Sequence, residues 1–146
     1  MHDATSNITV WRADWHPNQA IICDIRRQVF IEEQQVPASL EWDGLDETAV
    51  HVLGHLGGNR VCATARLLTT GQIGRMAVLP DCRYKGLGSA LLAELVSAAA
   101  NAGMYEVSLH AQLQARCFYE RHGFSAVGST FKDAGIPHIA MIHQVA

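Results

Sequence analysis

Between a hydrophobic run and a long apolar stripe the chain carries Arg83-Tyr84-Lys85-Gly86-Leu87-Gly88-Ser89, residues whose types suit a phosphate. Gly86 and Gly88 have no Cβ, so the backbone there can approach a ligand closely. The apolar stripe after the glycines reads as a helix, and the free N–H groups at its start, with the dipole, would face an anion. Arg83 and Lys85 add two cationic donors. Together these features meet the needs of a pyrophosphate. The plainer reading is a strand-to-helix turn in which glycine serves geometry alone, since a lone glycine pair is weakly specific.

Two nucleotide-binding patterns can be tested against this loop. A P-loop requires Gly-Lys-Ser/Thr after its first glycine, whereas Lys85 precedes both glycines. A dinucleotide fingerprint G-x-G-x-x-G is met at Gly86 and Gly88, but Leu91 holds the third position. Glu106 falls about twenty residues on, where such a fold carries its ribose-binding acid. Too little chain follows the loop to complete that sheet, so the dinucleotide pattern stands second.

The elements that must position the loop are set by periodicity and turn chemistry. Ile8–Arg12 reads as a strand, and Ile22, Ile25 and Val29 give a helix from about Asn18 to Gln34. The Gln34–Ala49 connection is polar and acidic, broken by Pro37 and Gly44. Val50–Leu56 and Val61–Leu68 flank Gly57-Gly58-Asn59 as a hairpin, and Ile73–Leu79 is a third antiparallel neighbour. Leu87, Leu91, Leu95, Ala98 and Ala102 form one apolar helical stripe stopped at Gly103. A strand at Glu106–His110, a helix at Gln114–His122, and strands at Phe124–Val127 and His138–His143 complete the order βαβββαβαββ. That order describes one α/β domain with a mixed sheet over residues 1–146.

Composition narrows the function classes. The 146 residues are 49% hydrophobic and 17% charged, which is globular and long enough to bury a core. A net charge of −3 with scattered basic residues excludes a nucleic-acid footprint. No apolar run approaches the ~18 residues of a membrane span. The start, MHDATSNITVW, has no basic region followed by an apolar block, so no secretory signal is read. Cys23, Cys62, Cys82 and Cys117 stand far apart, which suits reduced thiols in a cytoplasmic protein and argues against structural zinc. His51 and His55 fall on a strand rather than at helical i,i+4 spacing, so no metal site is expected.

With these residues in hand, Arg83 to Gly88 as R-x-x-G-x-G after Met76-Ala77-Val78 resembles the coenzyme A loop of GNAT-superfamily N-acetyltransferases. Val29-Phe30-Ile31-Glu32-Glu33-Gln34, Glu41-Trp42-Asp43 and His110-Ala111-Gln112 resemble the ElaA-like branch. So do Phe118-Tyr119-Glu120-Arg121-His122-Gly123-Phe124 and Gly135-Ile136-Pro137-His138, in the same order. The resemblance implies an α/β GNAT-type fold, its mixed central sheet splayed at the coenzyme A site and flanked by helices. It also implies direct transfer of an acetyl group from acetyl-CoA to a primary amine, without a metal. The acceptor is a small-molecule or peptide amine rather than nucleic acid or membrane, and a homodimer is admitted.

The resemblance also distributes roles. The backbone of Met76, Ala77 and Val78 would lie along pantetheine, with the Val78 N–H polarising the thioester carbonyl, where an oriented donor is worth most. Arg83, Tyr84, Lys85, Gly86, Leu87, Gly88 and Ser89 would hold the pyrophosphate. Tyr119 would protonate the leaving thiolate, while Phe118 packs in the core. No base position is implied. His110, at the end of the second splayed strand, is of the residue type suited to acid–base work at neutral pH, and is a general base or orients substrate. Glu33, Glu41 and Asp43 are alternative bases, directly or through water; with Gln112 they are also candidates to meet the acceptor, and the acidic residues would attract a cationic amine if they converge. A solvated loop kept soluble by charge explains the same acids. Cys82 beside the loop reads as an inert thiol, and His138 has no derived task. The competing class is a non-catalytic module that binds coenzyme A or another nucleotide.

Overall fold

The computed structural model describes residues 7–58 and 60–145. The first six residues, part of the stretch tested for a secretory signal, lie outside these, as does Asn59 of the expected hairpin turn. The elements are β1 (Ile8–Ala13), α1 (Trp15–Arg26), a π-helical turn (Arg27–Glu33) and α2 (Ala38–Glu41). They continue with β2 (Val50–Leu56), β3 (Val61–Leu67), β4 (Gln72–Val78) and α3 (Leu87–Asn101). β5 (Glu106–Gln112), α4 (Arg116–Arg121), β6 (Ser125–Asp133) and β7 (Ile136–Gln144) close the chain.

Seven strands form one mixed sheet in the order β1-β2-β3-β4-β5-β7-β6. All neighbours are antiparallel except β4 and β5. β2 and β3 are buried at consecutive residues, so both faces of the sheet centre are covered. α1 and α3 supply that cover, both packing on these strands. The core runs through Ile25, Val52, Leu67, Leu87, Leu91, Leu95 and Leu109. β5 alternates exposed and buried residues, as a strand covered on one side should.

Several boundaries differ from the sequence expectation. α1 begins at Trp15 because Pro17 falls in the first turn, where its missing N–H needs no partner. The helix does not run unbroken to Gln34 but widens into the π turn, where the Gln34 N–H bonds the Val29 carbonyl at 3.1 Å. The stripe of α3 passes from Ala98 to Ala99, while Ala102 is exposed at the helix end. β6 is longer than Phe124–Val127, since β7 holds it on both sides of a register shift between Val127 and Phe131.

β4 and β5 decide where a ligand can enter. They pair only at Gln72↔Ser108 and Ile73↔Leu109, then separate. Beyond Ile73 the β3–β4 register shifts, and Arg75 adopts a left-handed φ of 49°. A non-glycine residue held there marks a bulge that bends the strand.

Candidate active site

The splay of β4 from β5 opens a cleft of about 660 Å³, lined by both strands, the π turn, α2, α4 and the β6–β7 hairpin. The edge of β4 facing it is set by the ladder with β3. The Leu79 N–H bonds the Cys62 carbonyl at 2.9 Å, so Ala63↔Val78 is the neighbouring non-bonded pair. The Val78 N–H and C=O therefore point away from β3, toward β5. The carbonyl takes the Arg83 Nε at 2.8 Å, and the N–H is left facing the cleft. Met76, two residues earlier, shares that edge. Ala77 does the opposite: its amide faces β3 and its side chain is buried in the core.

At one end of the cleft the chain passes from Arg83 into α3. Gly86 precedes the helix at φ 99°, and no side chain caps the helix start. The first intrahelical bond runs from the Ala90 N–H to the Gly86 carbonyl, so the N–H groups of Leu87, Gly88 and Ser89 have no partner among the described residues. Leu87 contributes backbone only, its side chain being buried in the core. Tyr84 projects fully into solvent, and the Lys85 Nζ approaches only the Asp81 carbonyl, at 3.4 Å. Two expected ligands are engaged elsewhere. The Arg83 guanidinium forms a bidentate pair with Glu33 at 2.7 and 2.5 Å, and the Ser89 hydroxyl meets His122 Nε2 at 3.0 Å. Cys82 is buried near Cys62, whose thiol burial pushes up to about 12 with the help of hydrogen bonding to Cys82.

Tyr119 stands between the two ends. α4 brings it against β4, with its hydroxyl 3.9 Å from the Met76 Sδ. Burial pushes the phenol up to about 12, so it keeps its proton at neutral pH. Phe118 packs edge-on against it at 5.1 Å, with its ring beside Gly88 of α3.

At the other end the acidic connection does converge, but onto arginines. Arg26, fully buried, holds Glu41 and Asp46 at 2.7 Å each and lies 5.1 Å over the Trp42 ring. Arg66 bonds Asp43 at 2.5 Å and Asp46 at 2.9 Å. Arg75 reaches the Glu41 carboxylate at 3.1 Å and Asp43 at 3.2 Å, and its guanidinium also takes the Glu41 carbonyl at 3.0 Å. Three carboxylates thus meet three guanidinium groups, and the expected negative field cancels. Burial raises Asp43, but hydrogen bonds from Arg66 and the Leu45 N–H, with both arginine charges, bring it to about 2. Asp46 is lowered by Arg26 and Arg66 against the same burial. Beneath them His51 is depressed by burial and meets the Asp46 carbonyl through Nε2.

Gln112 is tied across the cleft mouth, its Nε2 donating to Gln34 Oε1 at 2.9 Å and its Oε1 accepting from Gln114. His110 is exposed, edge-on to Phe131 at 5.0 Å, and lines the cleft. Sequence reasoning did not find Arg26, Arg66, Arg75 and Asp46. The three arginines lie on three different elements, and no local spacing announces their meeting.

Known proteins agree with this geometry. The model of the acetyltransferase (GNAT) domain matches residues 13–145. A Bacillus subtilis protein named uncharacterized N-acetyltransferase YjcF is 36% identical over 121 residues, covering 81% of this chain and 86% of its own. The crystal structure of Escherichia coli ElaA superposes with a TM-score of 0.83 at 26% identity, over 93% of this chain and 99% of its own. An acyl-CoA N-acyltransferase from Pseudomonas aeruginosa gives 0.81 at 28% identity, over 93% and 99%.

Proposed function

Because the chain belongs to the GNAT acetyltransferase family and is therefore an acyltransferase, we propose that it moves an acetyl group from acetyl-CoA directly to a primary amine with both bound. The observation that carries this reading is the free edge of β4 at Val78 beside a proton-holding Tyr119 in one cleft. Acetyl-CoA would bring a thioester, an activated acyl group with a good leaving thiolate. The Val78 N–H is placed to hydrogen-bond the thioester oxygen, where negative charge grows as the amine attacks. Tyr119 gives its proton to the departing sulfur, a role that suits a phenol kept neutral by burial. The free N–H groups of Leu87, Gly88 and Ser89 would hold the pyrophosphate, with Lys85 alongside. Arg83 joins them only by giving up Glu33. His110, exposed on the cleft wall, orients the acceptor.

The acceptor end favours no polycation, since Glu41 and Asp43 are already matched by arginines. Glu41, Asp43 and Gln112 therefore serve chiefly to shape the pocket, and Glu33 to hold Arg83. Thermal shift with acetyl-CoA, NAD and ATP tests the first part: stabilisation by acetyl-CoA alone is expected. Thiol release over a panel of small amines and peptides tests the second. Tyr119→Phe should retain acetyl-CoA affinity and lose about a hundredfold in turnover. Binding without thiol release for any amine would leave a coenzyme A-binding module instead.

A further inference from the structure

His138 enters the cleft from β7 with a feature that His110 lacks. The residue is 8% exposed and lines the cleft wall. Its Nδ1 lies 2.6 Å from the Ile136 carbonyl. A carbonyl oxygen only accepts, so Nδ1 carries a hydrogen, and the proton that can come and go is on Nε2. The ring is stacked on Phe131, with centroids 6.0 Å apart and planes at 25°, which fixes its tilt. Nε2 has no hydrogen-bond partner among the described residues, and His138 shares its face of the sheet with Gln112, the residue opposite it in register, which also lines the cleft.

From this geometry we infer that His138 Nε2 is the general base that removes a proton from the acceptor ammonium. The inference rests on the amine acetyltransferase reading above. An acceptor amine with a pKa near ~10 arrives protonated and cannot attack until it loses a proton. Nε2 takes that proton and passes it to solvent. As the C–N bond forms and the C–S bond breaks, the nitrogen gives up a second proton, which restores the Tyr119 hydroxyl after Tyr119 has protonated the sulfur. One proton is released per turnover, and no other reactant is needed.

Charged and titratable groups face His138 from β5, from β6 and across the cleft. On β5, Gln112 lies opposite it in register and is tied to Gln34 and Gln114, and His110 sits farther along with no partner among the described residues to set its tautomer. On β6, Asp133 lines the cleft at the hairpin, and Lys132 is paired opposite Pro137. Across the cleft, Glu41 and Asp43 are paired with Arg26, Arg66 and Arg75, which also hold Asp43 well below the usual carboxylate range. Tyr119 holds its own proton.

His138→Asn separates the base from the scaffold, because an amide can still donate to the Ile136 carbonyl but cannot accept a proton from an ammonium ion. The variant should bind acetyl-CoA as the wild type does by calorimetry. Its kcat should fall about a hundredfold, and the ascending limb of its pH–rate profile should disappear. Added imidazole should restore part of the rate to His138→Ala. Nitrogen NMR on the unaltered protein gives a readout independent of any variant, with His138 expected to be protonated on Nδ1 and to titrate at Nε2. A neutral His138 protonated on Nε2 overturns the inference. So does an unchanged profile in His138→Asn, or loss of the ascending limb in His110→Asn instead. Wild-type protein that binds acetyl-CoA but acetylates no amine refutes the transferase reading and, with it, this one.

Discussion

At the α3 end of the cleft a ligand would meet backbone: the Val78 amide, a glycine at φ 99° and the uncapped start of a helix. At the α2 end it would meet side chains held by one another, three arginines against three carboxylates drawn from α1 to β4. The first end spends local geometry on a ligand that is the same throughout a family. The second spends tertiary interactions on a pocket whose charge is internally balanced. Changes at the α2 end should therefore appear mainly as stability, and changes at the α3 end mainly as cofactor affinity.

The strongest way to break this contrast is Arg26→Met. It leaves Glu41 and Asp46 buried with one arginine fewer each, and should cost about 3 kcal/mol in urea denaturation. Acetyl-CoA affinity of the folded fraction should be unchanged. A loss below ~1 kcal/mol would mean that the network is decorative.

Acid provides a second, smaller test of the same end. Asp43 is held at about 2, below the ~3.9 of a free aspartate. Its folded value is depressed, so its contribution is complete above pH ~4 and is lost as pH falls toward ~2. Asp46 shifts in the same direction. Asp43 contributes to that loss in this window, and Asp43→Asn should flatten stability against pH over this range.

The smallest expected effect on folding lies at the other end. Gly86→Ala forces a Cβ into a left-handed conformation at a cost of about 1 kcal/mol. Its larger consequence should be several-fold weaker acetyl-CoA binding in the same calorimetric assay. Equal binding with lost stability would erase the distinction between the two ends.

How far each end could be read from the sequence obeys the same division. The glycine loop is contiguous, and its chemistry depends on residues within one turn of each other. The stripe of α3 was legible because burial repeats at 3.6 residues, and the β2–β3 hairpin because a glycine pair separates two apolar runs. Glu41 and Asp43 were visible as acids, but their partners Arg26, Arg66 and Arg75 are separated from them by up to 34 residues in the chain. Whether an acid is a free substrate contact or half of a buried pair depends on what packs over it. Arg83 makes the same point: its charge suggested a phosphate ligand, and only packing reveals Glu33 against it.

The sequence alone determined the α/β order of elements, the loop at Arg83–Ser89 and the family it resembles, because these depend on local spacing and turn geometry. The tertiary structure decided the rest. Parting β4 from β5 freed the Val78 amide, convergence of three arginines cancelled the acidic connection, and a carbonyl beside His138 fixed a hydrogen on its Nδ1. Each depends on distances between residues far apart in the chain, and those distances exist only once the sheet has formed.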